Sequence, residues 1–161
     1  MNVCQTNKNQ DKGKPPPGRI PKIGDIYMMR FDGEGNEQKG WRPGVVYQNN
    51  LGNKYSPNLI VLPLTSALKK TEQPTHVVLP ASIGLVRDSM VLCENPERMS
   101  KERLGKYITS VPAELMSKIA VANLLATSAI AYIDPELLYH IWEKAATLNR
   151  IFSDDVLVTS P

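Results

Sequence analysis

Metal chemistry has little to work with in this chain. Its 161 residues include only two histidines and two cysteines, and no His, Cys, Asp and Glu positions recur at the spacing of a metal site. Cys4 lies near the start and Cys93 in the apolar run Met90-Val91-Leu92-Cys93. They make no convincing disulfide, and Cys93 reads as a small buried side chain in a reducing compartment. There is no P-loop, no dinucleotide fingerprint and no G-x-S-x-G elbow. Gly33-Glu34-Gly35 is too sparse to cradle a phosphate. Neither a metal nor a cofactor is therefore expected. No run approaches the roughly 18 apolar residues of a membrane span, and the polar beginning offers no export segment. The expectation is a soluble, cytoplasmic chain without a membrane partner.

What is present suits one ordinary domain. A 42% hydrophobic content over this length is enough for a real core. The net charge of +3 is far from that of a DNA-coating protein, but it is unevenly spread. Lys8, Lys12, Lys14, Arg19 and Lys22 make the start basic, whereas Asp134, Glu136, Glu143, Asp154 and Asp155 make the end acidic. Residues 1–21 are polar and broken by Pro15-Pro16-Pro17-Gly18 and Pro21, a composition that predicts a disordered or extended arm. Such an arm is either an inert tail or a weak attractor of phosphates.

From Ile23 the pattern changes. Ile26 to Phe31, Val45 to Tyr47, Leu59 to Leu64, Val77 to Leu79 and Met90 to Cys93 are short strand-like runs bounded by Gly, Pro, Asn or Ser. With no helical period between them, they predict a mainly β fold, a small antiparallel barrel, which Leu104 to Ile108 could close. After Val111 the period becomes helical. Leu115, Ile119, Ala122, Ala126, Ala129 and Ile133 mark one face of a helix starting near Pro112. Asp134-Pro135-Glu136 opens another, with Leu137, Leu138, Ile141, Trp142, Ala145 and Leu148 as its stripe. The two apolar faces suggest a C-terminal helical hairpin, in which the second helix either caps the first or offers Tyr139 and Trp142 to a partner. The domain boundaries drawn are 1–21 for the arm, 22–133 for the barrel with its helix, and 134–161 for the extra helix and tail.

Few residues stand out as chemical. His76 opens a strand, where a hydrogen-bonded structural histidine is the plainer reading, and His140 reads as solvated. Arg42 stands at the mouth of the Val45 strand, after the polar loop Asn36-Glu37-Gln38-Lys39 and before the stiff Pro43. Thr65 stands at the exit of the next long strand. From composition alone the pair is a surface cation and a strand-end hydroxyl.

The ordered text around them is more specific. Gly24-Asp25-Ile26-Tyr27, Gly35-Asn36-Glu37-Gln38-Lys39-Gly40-Trp41-Arg42-Pro43, Val45-Val46-Tyr47-Gln48-Asn49, Ser56-Pro57, Leu64-Thr65-Ser66, Pro74-Thr75-His76-Val77 and Arg87-Asp88-Ser89 resemble the MazF/PemK toxin family. So do Met90 to Glu94 and Lys101-Glu102-Arg103-Leu104, the whole covering roughly residues 23–133. The resemblance implies an SH3-like barrel of the MazF/PemK/CcdB kind, assembled as a homodimer. It also implies a metal-independent endoribonuclease of the mRNA interferase type, the toxin of a toxin–antitoxin pair. Such an enzyme cuts single-stranded RNA by attack of the 2′-hydroxyl on its neighbouring phosphate, leaving a 2′,3′-cyclic phosphate and a 5′-hydroxyl.

On this resemblance the catalytic residues are Arg42 and Thr65. RNA-binding or supporting positions are Asn36, Glu37, Gln38 and Lys39 of the first loop, then Ser66, Lys69 and Lys70, His76, Arg87, Asp88 and Ser89, and finally Glu94 with Asn95. A planar guanidinium suits charge building on a phosphorane, whereas its pKa above about 12 makes it a poor base. Glu37, Glu94 and His76 are the candidate proton carriers. The chain departs from the family at Glu94-Asn95-Pro96-Glu97-Arg98, where Glu-Gln-Ile-Arg-Thr is usual. It also departs from the Kid branch, whose assisting His, Arg and Asp fall on Asn36, Leu92 and Glu94. The partners implied are mRNA and an acidic antitoxin. A second reading keeps the barrel but not the cutting: a silent binder of nucleic acid or of a protein target, as in the gyrase poison CcdB.

Overall fold

A computed structural model describes residues 13–35 and 37–151 of the chain. Seven strands form an antiparallel sheet: β1 (Asp25–Asp32), β2 (Lys39–Val46), β3 (Asn58–Thr65), β4 (His76–Leu79), β5 (Ser89–Leu92), β6 (Glu97–Ser100) and β7 (Leu104–Ser110). Their order is β4-β5-β3-β2-β1-β7, with β6 also paired to β3. The sheet is bent into a barrel-like form without closing, since β4 and β7 end the order.

Two apolar clusters explain why strands such as Ile26-Tyr27-Met28-Met29 read as continuous apolar runs rather than alternating ones. Ile26, Val45, Leu62, Leu64, Val91 and Cys93 face one side, which α2 (Ala113–Ala126) covers with Ile119 and Ala122. Their alternates Tyr27, Met29, Phe31, Val46, Leu59 and Val61 face the other, joined there by Met99 and Leu104. Both faces are dry because the sheet curls over the second cluster. Cys93 is fully buried as expected, and burial, helped by the charge of Glu94, pushes its thiol up to about 12.

Several elements depart from the sequence reading. A short helix, α1 (Asn50–Tyr55), occupies what reads as loop, capped by the Asn49 side chain, which accepts from the Gly52 N–H. It survives its glycine and asparagines through tertiary bonds: the Ile23 N–H donates to Asn50 Oδ1 at 2.8 Å, and Lys101 Nζ to the Asn53 carbonyl. β2 begins at Lys39, so Arg42 lies within the strand rather than at its mouth. Helix α2 stops at Ala126, not near Ile133. Thr127 bonds back to the last turn, and Ser128 takes a left-handed conformation before a 3-10 turn at Ala129–Tyr132.

That turn redirects the chain, so the expected hairpin does not pack. Along α3 (Pro135–Ile151) the apolar Leu137, Leu138, Tyr139 and Ile141 stay 51–58% exposed instead of covering α2. The cap at its start is as read, with Asp134 Oδ1 accepting from the Glu136 and Leu137 N–H groups.

The end of the arm is not a loose tail either, although residues 1–12 of that segment lie outside the described residues. Arg19 donates to Asp25 at 3.0 Å and to the Tyr27 hydroxyl at 3.1 Å, and its guanidinium lies 3.9 Å from the centre of the Tyr107 ring. Asp25 is 2% exposed and also accepts from Ser110 Oγ and the Lys22 N–H. Removing the cation leaves a buried carboxylate with only neutral donors. Arg19→Ala is expected to lower unfolding free energy by about 2–3 kcal/mol, measured by urea titration. A change below about 0.5 kcal/mol, the size of an ordinary surface substitution, would mean that the arm is passive.

Candidate active site

Strand alternation places Arg42 on the same face of β2 as Gly44 and Val46, above the second cluster. Its partner across the β1 ladder is Met29. The close approach below depends on Gly44: a Cβ there would come within 2.6 Å of Met29 Sδ and 3.2 Å of the Phe31 ring. The β2–β3 ladder ends at Gly44 and Pro63, and β3 then turns to pair with β5 through Leu64 and Thr65. The start of β2 and the end of β3 thus form a fork. Continuing the register by two residues would set Arg42 opposite Thr65, and alternation puts Thr65 on the Leu59–Val61 face, the face of Arg42.

The loop before β2 holds the arginine. The Gly33 N–H donates to the Gln38 carbonyl at 3.0 Å, and a Cβ on Gly33 would stand 2.4 Å from that same oxygen. Glu37 Oε2 accepts from the Glu34 N–H at 3.0 Å. Within this closed loop Arg42 Nη1 donates to Gln38 Oε1 and Nη2 to the Lys39 carbonyl at 2.9 Å. Its Nε is buried and has no hydrogen-bond partner. Burial lowers the Arg42 pKa from its ordinary value, and the charge of Glu97 acts in the other direction.

Thr65 is half-buried, and its hydroxyl oxygen accepts from the Ala67 N–H at 3.1 Å. Ser66, Lys69 and Lys70 follow on the exposed β3–β4 connection. His76 fastens that connection: its ring nitrogens lie 2.9 Å from the Lys70 carbonyl and 3.0 Å from Glu94 Oε1, and its side chain is only 8% exposed. These bonds fit the structural reading of His76. Asp88 accepts from the Ala81 N–H at 2.7 Å, and buried Ser89 donates to the Arg87 carbonyl. Both brace the β4–β5 connection. Asn95 closes a turn onto the Leu92 carbonyl at 3.1 Å. Asn36 lies outside the described residues.

The carboxylate whose charge Arg42 feels is thus Glu97, which sequence reading did not select. It lies on β6, a strand also missed, opposite Val61 and on the face that carries Met99. Its carboxyl is raised, first by burial and then by the charge of Glu37, while Arg42 and Arg103 pull the other way. Arg103 is itself paired with Asp32 at 3.2 Å. The available signal was the altered charge order from Glu94 to Arg98.

Comparison with known proteins is consistent with this geometry. Residues 22–125 match a family described as the PemK-like, MazF-like toxin of type II toxin–antitoxin systems. The chain is 37% identical over 115 residues to endoribonuclease EndoA of Bacillus subtilis, covering 70% of this chain and 99% of that protein. In fold it resembles MazF of Deinococcus radiodurans, with a TM-score of 0.62, 24% identity, and coverage of 68% of this chain and 98% of that one. A mycobacterial endoribonuclease in complex with its cognate antitoxin gives a TM-score of 0.52 at 27% identity, covering 68% of this chain and 94% of that one.

Proposed function

The chain belongs to the PemK-like, MazF-like toxin family, and we propose that it is the toxin of a toxin–antitoxin pair, an endoribonuclease that cuts single-stranded mRNA at the Arg42–Thr65 fork. The observation that carries the activity is the match along nearly the whole length of an endoribonuclease. Its partners are RNA and a cognate antitoxin, and it works as a homodimer in the cytoplasm. Among the described residues no helix is long and apolar enough to cross a membrane.

The reaction is transesterification within the RNA. The 2′-oxygen attacks phosphorus, the P–O5′ bond breaks, and a 2′,3′-cyclic phosphate and a 5′-hydroxyl result. The substrate carries its own nucleophile, so the protein has to align three atoms and stabilise the charge on the phosphorane. Arg42 suits the second task. Gln38 and the Lys39 carbonyl fix its plane in advance by taking one hydrogen from each terminal nitrogen. Nη1 and Nη2 each keep a second hydrogen, which a phosphate oxygen can accept. Partial burial strengthens the interaction, because less water screens the charge. Thr65 orients the same phosphate by rotating its hydroxyl hydrogen toward it while its oxygen still accepts from Ala67. Lys39, Lys69, Lys70 and Arg87, all exposed, meet flanking phosphates.

Two measurements check this. Incubated with a long mixed-sequence RNA and EDTA, the protein is expected to leave 5′-hydroxyl and cyclic-phosphate ends. Arg42→Ala should cut about 10²–10³-fold more slowly, and Thr65→Ala should also be impaired, both retaining the native circular dichroism. A requirement for Mg²⁺, or undiminished cutting by Arg42→Ala, would sink the mechanism. RNA bound but never cut would favour a silent binding module. Separately, affinity should fall with salt at a log–log slope of about −3 to −4 for five phosphate contacts. Lys39→Ala should make that slope shallower by about 0.7, whereas a flat salt dependence would exclude the basic rim as the RNA surface.

A further inference from the structure

The proton leaving the 2′-hydroxyl needs an acceptor, and a guanidinium, protonated far above neutral pH, is a poor one. The two histidines offer no alternative beside Arg42, since His76 is bound between Lys70 and Glu94 and His140 lies on α3. Two carboxylates remain, and they differ in what holds them. Glu37 is engaged with the Glu34 N–H inside the loop that positions the arginine. Glu97 stands on β6, and among the described residues its carboxylate makes neither a hydrogen bond nor an ion pair.

Geometry sets Glu97 and Arg42 over one floor. Val46 of β2 pairs with Val61 of β3, which pairs with Glu97 of β6, so three strands carry one cross-sheet row to the carboxylate. Val46, Val61, Met29 and Met99 belong to the cluster beneath both groups. By strand alternation Arg42 of β2 and Glu97 of β6 stand on the same face of the sheet, the face of that cluster. They sense each other's charge without forming an ion pair. A ribose phosphate held by Arg42 can therefore turn its 2′-hydroxyl toward Glu97.

We propose that Glu97 is the general base of the cleavage, accepting the 2′-hydroxyl proton while Arg42 holds the phosphate. The inference rests on the endoribonuclease reading above. As the 2′-oxygen bonds to phosphorus, its proton passes to the carboxylate. The departing 5′-oxygen takes a proton from water, and protonated Glu97 returns its own to the hydroxide so formed, leaving no net change in protons. The charged groups facing Glu97 are Glu37 from the first loop, Arg42 from β2 and Arg103, itself paired to Asp32. Burial and Glu37 outweigh the two arginines, so its carboxyl is raised above the ordinary range. A base of raised pKa holds the proton it accepts better than an ordinary carboxylate does.

The test is single-turnover cleavage with protein in excess, followed at the cut sites of the unaltered protein from about pH 4.5 to 9, alongside RNA affinity. For the unaltered protein, the rate should climb tenfold per pH unit while Glu97 is protonated and level off once it is ionised. Glu97→Gln should bind RNA at least as tightly, cut about 10²–10⁴-fold more slowly, and lose the plateau, since hydroxide then becomes the base. Glu97→Asp should regain part of the rate and a plateau. Glu97→Gln with the wild-type plateau and a rate within about threefold would overturn the role of Glu97 while leaving the endoribonuclease reading intact. A loss of rate explained wholly by weaker RNA binding would overturn it too. Absence of cutting by the unaltered protein would remove the parent reading.

Discussion

β3 is the constraint on which the rest of the architecture depends, because it must pair with three strands. Its first half bonds to β6, its middle to β2 and its last two residues to β5. β2 holds one edge of β3 and β6 the other, and the bending of the sheet about this shared strand is what allows both faces to be buried. One face is closed by α2 and the other by the sheet itself with Met99 and Leu104. The fork at Gly44 and Pro63 follows from the same exchange of partners. Where the β2–β3 ladder stops and β3 goes on to pair with β5, the start of β2 has no partner on β3, and Arg42 is the residue that occurs there. The site is thus a consequence of topology before it is one of chemistry.

Apolar runs of four to six residues were legible because they are buried on both faces, and Ile26 to Phe31 is the clearest instance. Short elements stabilised from outside were not. α1 contains Gly52 and two buried asparagines, a poor helix by propensity, and it exists because Asn49 caps it and Ile23 and Lys101 bond to it. β6 reads as Glu-Arg-Met-Ser, with one apolar residue, and is a strand because β3 offers it a ladder. The helix end was misjudged for a local reason: apolar spacing continues past Ala126, but Thr127 and Ser128 turn the backbone away from it.

The candidate site divides along the same line. Arg42, Gln38 and Lys39 lie within five residues of each other, so their association is local and the sequence text around them carried it. Glu97 comes from 55 residues further along the chain, and only the β2–β3–β6 order puts its charge within reach of Arg42. Glu94 was the more obvious acid in the text, yet it is spent on His76. Spacing in sequence identifies which residues a loop can gather. It says little about which acid a curled sheet presents to that loop.

The two ends of the matched region, 22–125, have different physical meanings. At the C-terminal side the match stops one residue before α2 does, and the left-handed Ser128 makes that a mechanical boundary as well. Beyond it, Leu137, Leu138, Tyr139 and Ile141 of α3 stay exposed and add nothing to the core of the sheet and α2. At the N-terminal side the match begins after Arg19, but the physical domain does not. Asp25 lies inside the matched region and is almost completely buried, and the guanidinium that neutralises it comes from outside. A buried carboxylate paired with a cation holds that cation far more firmly than a surface pair would. The described part of the arm is therefore tied to β1 and β7 at Arg19.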